Sequence, residues 1–511
     1  MAVIGLDFGN YKTFTCFISD MDENTRKGGN VHDLIPGRLQ TGIPSVYFYS
    51  QREGELIGEN GERPRARPVA NRLRYLKRNL GKSIVLDDRT VAYDDAITSV
   101  VQHCVRQANE LLQQGWLMTT NQVALAYPAA YKFAQLEHLV NLVEKATLAN
   151  GEHLKVVGTI REPAAAALDY LSEFAKTDKD TVVMTYDLGG GTFDLAIVAA
   201  YPGGRTNRSG YRYFYDIIDT DGMGDIGGAD FDRIMAGLME SRVDTQLQPA
   251  QKDTIAQMSE SAKIELSSDD ISVKDFFDGE EYINIRVSRQ EFEDASKDLL
   301  QKTIERTVKL VRKHPECKPD LILLTGGASQ MPMVQKELEK ALPEYRGRIM
   351  KYRPAKAIAY GAARFGVMEE NPDPMTNPVL RRVQNDIGVK YYQSFDDDNG
   401  YIVTYIKAGT EIPCESEYHQ AGTAGINETS SRFEVYEAVK PNPVSTDPDH
   451  DYTEIMEVTL EFGKEVAPGT RSESRLVIDQ RGMLVIEAQE SGRTNPKAVR
   501  NSVKLKNLSE K

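Results

Sequence analysis

Two stretches of the chain repeat one pattern: an apolar strand running into an aspartate, a glycine turn, and a second apolar strand. In the longer, Thr181-Val182-Val183-Met184-Thr185-Tyr186 leads to Asp187, then Gly189, Gly190 and Gly191, then Thr192 and Asp194 ahead of another apolar run. The other spans Val3 to Ile18, with Asp7, Gly9, Asn10 and Tyr11 in the same order. Consecutive glycines remove every Cβ from a turn and permit positive φ. Backbone amides can then converge on an anion such as a phosphate. Asp187 at the strand end can hold a hydrated Mg²⁺ beside it, because Mg²⁺ keeps waters and takes few protein ligands. Either stretch alone also suits a plain surface hairpin. The repetition predicts two related lobes that clamp a nucleotide's phosphate tail between acid-bearing turns.

At 511 residues the chain exceeds what one core holds, about 250–300 residues, so more than one domain is predicted. A net charge of −14 argues against nucleic acid as a partner, which needs a basic footprint. No apolar run approaches the ~18 residues of a membrane span. The amino terminus enters a strand at once, which leaves no room for a signal peptide. Cys16, Cys104, Cys317 and Cys414 lack a metal-binding spacing. They read as buried free thiols in a reducing, cytoplasmic setting, a reactive cysteine being the alternative.

Along the chain, Ile43 to Tyr49 reads as one strand with a proline near its start. A basic run follows: Arg63, Arg65, Arg67, Arg72, Arg74, Lys77, Arg78 and Lys82. Most of it reads as a solvated helix face, with one cation useful near the phosphate turns. Ala96–Gln114 and Phe133–Ala149 have helical spacing, and Val123–Pro128 and Val156–Ile160 read as strands. Glu162-Pro163 opens a helix at a strand end, either as an active-site group or as a helix-dipole partner. Gly227-Gly228 leads into a further helix, and Ile255–Leu266 is a helix with Glu260 and Lys263 one turn apart, a spacing that suits a surface pair. Leu321 to Pro332 is a third phosphate-type element: a buried strand, Gly326 and Gly327, then Ser329 as cap and Pro332 as helix start; a tight strand-to-helix turn is the alternative. Pro372, Pro374 and Pro378 mark a linker. Beyond it all is strand: Arg432–Glu437, a hairpin over Arg475–Ile486, and a last strand over Asn501–Leu508.

Taken together these motifs resemble the seventy-kilodalton heat-shock protein family, the DnaK-type chaperones, over nearly the whole chain. The carrying residues are Asp187 through Asp194, Glu162-Pro163 with its alanines, Gly227-Gly228 with Asp230-Phe231-Asp232, and Leu76 through Gly81. The resemblance implies an α/β actin-like ATPase fold of two duplicated lobes over residues 1–370, a linker over 371–384, and an antiparallel β domain like the family's peptide-binding sheet domain over 385–511. It implies ATP/ADP with Mg²⁺, the ion's water shell on Asp7 and Asp187, and a K⁺ site at Asp194. Gly9, Gly189, Gly190, Gly191 and Thr192 are then expected to line the phosphates. Lys77 neutralises the γ-phosphate and Glu162 places the attacking water, with Asp187 and Thr192 also in the catalytic group. Glu260, Lys263 and Ser267 face ribose and adenine, and Gly228, Gly326 and Gly327 belong to the same site.

Departures from the family pattern fall in the same pocket. Asn10 and Tyr11 replace two threonines; Ile264 and Gln330 stand where the family stacks two arginines on adenine; Ala328 replaces a serine and Ala355 an aspartate. Loss of a stacked arginine forfeits about 0.5–2 kcal/mol, so weaker adenine binding is expected. The linker lacks the family's acidic, leucine-rich sequence, which bears on coupling to a J-protein; a nucleotide-exchange factor stays open as a partner. The family's helical lid is expected to be missing. The predicted function is an ATP-dependent chaperone for unfolded peptide or client protein. A weakly hydrolysing nucleotide-binding scaffold and a small-molecule kinase of the same superfamily are the alternatives.

Overall fold

The computed structural model describes residues 2–19, 30–39, 42–62, 71–176, 178–202, 213–370, 379–380, 382–383, 385–393, 397, 399–423, 425, 427–439, 443, 445–478, 483–492, 498–505 and 508–509. The chain divides into two compact units, Met1–Pro378 and Val379–Lys511.

The first unit contains two mixed sheets with one strand plan. In the first, Lys155–Arg161, Gln122–Tyr127 and Ile4–Phe8 run parallel, and Lys12–Ser19 and Asn30–Asp33 follow antiparallel. In the second, Ile349–Lys351, Leu321–Thr325 and Thr181–Leu188 run parallel, and Phe193–Pro202 and Tyr213–Met223 follow antiparallel. The repeated sequence pattern is thus the central antiparallel hairpin of each sheet. Both hairpins are buried on both faces, and the cores of the two lobes form around them.

Two helices exchange between the lobes. Glu162–Phe174 follows a strand of the first sheet and packs on the second, whereas Ala357–Glu370 follows the second and packs on the first. They lie against each other on small residues, and a Cβ at Gly361 would collide with the Ala165 carbonyl oxygen. Beside this crossing Arg364 donates to fully buried Asp169 at 2.9 Å, and Arg353 and Tyr352 donate to the same carboxylate at 2.8 and 2.9 Å. The pairing compensates the buried Asp169 carboxylate and Arg364 guanidinium, which burial alone would destabilise.

Among the described residues the second unit has two larger antiparallel sheets and a two-stranded one, Arg382–Val383 with Leu508–Ser509. One of the larger sheets runs Tyr401–Ile406, Ile387–Tyr391, Glu428–Ala438, Tyr452–Val466; the other runs Cys414–Glu415, Arg471–Ile478, Met483–Glu490, Val499–Lys504. Alternating residues such as Phe433, Val435, Leu476, Ile478, Leu484 and Ile486 fill a core of its own, as the two-residue period of strands requires.

Several expected elements differ. Ile43–Tyr49 is two strands, Ile43–Pro44 and Tyr47–Ser50, which pair in different sheets. The basic run is not a helix over its described part: Arg72–Leu73 is a strand and Leu76–Asn79 a 3₁₀ turn. Arg63, Arg65 and Arg67 lie outside the described residues, as do Pro372, Pro374, Pro378 and the turn 479–482. The helix from Phe133 ends at Lys145, where Thr147 bridges to His153 instead. The last strand divides into Val499–Lys504 and Leu508–Ser509, the latter paired with Arg382–Val383. Cys16 and Cys104 are buried, but Cys317 and Cys414 are only half-buried.

Candidate functional site

The two hairpin turns and the turn after Leu321–Thr325 open on one cavity of about 320 Å³ in the first unit, within the size range of small-molecule sites. Parallel pairing explains the convergence. Asp187 is in register with Thr325 and, across the hairpin, with Asp194; Asp7 is in register with Ala126. Parallel strand ends of the first sheet therefore deliver Asp7 and, one residue beyond Arg161, Glu162 to the cavity, and the parallel strands of the second deliver Asp187. The lining includes Asp7, Gly9, Asn10, Tyr11, Lys77, Glu162, Asp187, Gly189, Gly190, Gly191, Thr192, Gly228, Glu260, Lys263, Ser267, Gly326 and Gly327. Of the predicted site residues, Asp194 and Gln330 are not among those that line it.

Lys77 is held by the 3₁₀ turn, where Tyr75 takes a left-handed φ of 53° and the Tyr131 hydroxyl donates to the Lys77 carbonyl at 3.0 Å. Its ammonium donates to Glu162, and both side chains are buried. Burial opposes the charge on Lys77, but Glu162 and Asp7 outweigh it and hold its pKa above the ordinary value. One cation does not balance the acids around it. Burial, then repulsion from Glu162, pushes Asp7 up to about 7 against the pull of Lys77. Asp194 is likewise pushed up to about 7, with Thr192 and the Ala130 amide, at 3.3 Å, favouring its charged form. Asp187 rises well above its ordinary value through burial and repulsion by Glu162, Asp194 and Asp7.

Asp187 Oδ1 and Asp194 Oδ2 are buried without a protein partner. Such oxygens suit a cation, whose charge would relieve the repulsion. Among the described residues no three His, Cys, Asp or Glu groups converge as direct metal ligands.

The glycines work differently from the sequence expectation. Gly189, Gly190 and Gly191 are not among the positive-φ residues. Close approach instead requires two glycines here: a Cβ at Gly191 would strike the Asn10 side chain, and one at Gly227 would lie 2.6 Å from the Gly191 backbone. Positive φ falls instead at Gly326, 77°, where a Cβ would also strike Asp187. The amides of Gly228 and Ala229 donate to the carbonyls of Gly189 and Gly190 at 2.8 and 2.9 Å, which ties the turn to the helix Gly228–Glu240.

Other groups brace the site. Arg78 donates to the Gly191 carbonyl at 2.6 Å and to Asp230 at 2.8 Å, and Asp230 accepts from the Gly227 amide at 2.9 Å. Arg78 and Asp230 were not singled out as site residues, although both lie in the motifs that carry the family resemblance. Lys263 is buried beside Asp232, 2.6 Å away, and does not form a surface pair with Glu260. Glu260 instead accepts from the Tyr11 hydroxyl. Ser329 does not cap a helix; its hydroxyl accepts from the Leu188 amide at 3.0 Å and fixes the second hairpin's end. Gln330 leaves Nε2 buried without a partner, whereas Ile264, 58% exposed, and Ala355 do line the cavity.

A family model described as Hsp70 protein matches residues 100–510. Among curated proteins, the chain is 29% identical over 381 residues to "Chaperone protein DnaK" of Thermosipho africanus, and 28% identical over 381 residues to the protein of the same name from Thermosipho melanesiensis. Each match covers 71% of this chain and 58% of the relative, so the chain spans less than two thirds of the length of the relatives it matches.

Proposed function

The chain belongs to the Hsp70 protein family, and on that premise we propose that it binds ATP with Mg²⁺ in the cavity between its duplicated lobes and hydrolyses it. The observation that carries the reading is the convergence of both Asp-x-Gly turns on a cavity with the buried Lys77–Glu162 pair in its wall. Phosphoryl transfer is mostly positioning and charge stabilisation, and each part has a candidate. The glycine turns and Gly326–Gly327 receive the phosphates. Lys77 neutralises the terminal phosphate, Glu162 orients the attacking water, and Thr192 stands at the same turn. A hydrated Mg²⁺ held through Asp7 and Asp187 supplies further neutralisation when bound, and Asp194 completes a candidate K⁺ position. The β unit takes an extended segment of unfolded client protein by main-chain hydrogen bonding, under control of the nucleotide. This is the activity of an ATP-dependent chaperone.

Asp187→Ala is expected to abolish the Mg²⁺ dependence of ATP affinity and turnover; if both stay at wild-type values, the placement is wrong. Steady-state turnover with and without an unfolded peptide distinguishes the functions: stimulation supports the chaperone. The dedicated-partner scaffold is favoured by one specific observation, that Ile264, which lines the cavity, and Gln330 stand at the two positions where the family stacks arginines on adenine. No stimulation by any peptide, with slow turnover, supports that reading.

No helix among the described residues is long and apolar enough to cross a membrane. A cytoplasmic location, with neither membrane nor nucleic acid as partner, belongs to the chaperone reading and does not follow from that absence. A J-protein or exchange factor as partner stays part of the chaperone reading.

A further inference from the structure

Tyr11 occupies a position no phosphate-binding role explains. It follows Asn10 in the first hairpin's turn and lines the cavity. A Cβ at Gly190 would lie 3.1 Å from Tyr11 Cβ, so the tyrosine rests directly on the opposite lobe's glycine turn. Its hydroxyl reaches farther, to the carboxylate of Glu260 on the helix Pro249–Glu265. The ring is held from outside by Arg74, whose guanidinium sits 5.0 Å from the ring centroid and pairs with Glu62. One hydrogen bond to a charged acceptor thus joins the two lobes across the cavity itself.

Glu260 is also the group whose chemistry suits a sugar. A carboxylate accepts from hydroxyl and amino groups and repels phosphate, so within a nucleotide it suits the nucleoside end, where the ribose supplies hydroxyl donors. Lys263, one turn on, is engaged by Asp232 and the Gly228 carbonyl, which leaves the Tyr11 hydroxyl as Glu260's hydrogen-bond donor in this arrangement. We propose that Tyr11 is a built-in competitor for the ribose-facing carboxylate: its hydroxyl latches the lobes together through Glu260, and a ribonucleotide must displace it to bind. This rests on the nucleotide reading above. Tyr11 and Glu260 then set affinity and entry rate, whereas Lys77, Glu162 and the aspartates act on the phosphates.

Tyr11→Phe keeps the ring and removes only the hydroxyl, so it tests the bond with little change in packing. Isothermal titration of the full chain with ATP and Mg²⁺ is expected to give about tenfold tighter binding for Tyr11→Phe, as follows from removing a charge-assisted bond that the ligand otherwise breaks. The increase is expected to vanish in a Glu260→Ala background, because the two residues act as one coupled pair. Amide hydrogen exchange of the nucleotide-free chain supplies an independent readout: Tyr11→Phe is expected to speed exchange over Pro249–Glu265. Weaker or unchanged ATP binding together with unchanged exchange overturns the latch and leaves the nucleotide reading standing. Faster exchange with no ATP binding by either protein keeps the latch and overturns the nucleotide reading. An equal increase in affinity in the Glu260→Ala background shows that the hydroxyl acts without Glu260 and also overturns the proposal.

Discussion

Lys77 faces more carboxylate charge than it can neutralise, and that imbalance has a measurable sign. Asp7, with a folded-state pKa of about 7 against an ordinary 3.8, binds its proton more tightly when folded than when unfolded. Its contribution to stability is therefore full below about pH 4 and is lost as pH rises through about 7. Without divalent ion, the thermal midpoint of the wild type relative to Asp7→Asn is expected to fall between pH 5 and pH 8. Added Mg²⁺ is expected to lessen the fall, because a cation favours the ionised carboxylates. A midpoint difference that rises with pH would contradict the assignment. The lysine itself makes a separate prediction. Lys77→Ala removes charge stabilisation that matters most in the transition state, so kcat is expected to drop by about 100-fold with a much smaller change in ATP affinity. Loss of affinity at unchanged saturated turnover would refute that role.

Helices and hairpins show where local pattern suffices and where it does not. Both central hairpins are legible in the sequence because an apolar run, an acid and a glycine turn are local signals, and the Glu162 helix is legible from Pro163 and its alanines. The glycine turn was legible, but its reason was not: positive φ is a property of one residue, whereas Gly191 and Gly227 are glycines because two distant backbones meet there. The break between Pro44 and Tyr47 depends on two different sheets claiming neighbouring residues. Arg72, Arg74 and Arg78 read as a solvated face because their partners, Glu62 and Asp230, become neighbours only in the fold. The same holds for the crossed helices, whose contact gives the next prediction. Gly361→Ala is expected to destabilise the first unit by about 1–3 kcal/mol, read as a lower denaturant midpoint, because the added methyl meets the Ala165 carbonyl. It is also expected to lower ATP turnover, since the displaced helix begins with Glu162. An unchanged midpoint would mean the helices can separate without cost.

Across the whole molecule, each unit encloses its own apolar core. Phe433, Val435, Leu476, Leu484 and Ile486 are buried within Val379–Lys511, while the hairpin cores of the first unit are built from residues before Pro378. The change from helical to strand periodicity after Glu370 is a local signal in the sequence, whereas Pro372, Pro374 and Pro378 lie outside the described residues. The exchange of helices between lobes gives no such signal, because it is a matter of chain path. A unit with an independent core can fold alone, so the fragment Val379–Lys511 is expected to unfold cooperatively by circular dichroism. In calorimetry of the full chain, ATP and Mg²⁺ at about a thousandfold over Kd are expected to stabilise the first unit by about 4 kcal/mol, since a ligand stabilises what it binds. The same fragment, added in isolation, is expected to gain nothing from ATP. A fragment with no cooperative transition would mean that its core depends on the first unit. A fragment stabilised by ATP would put a nucleotide site outside the cavity of Asp7 and Asp187.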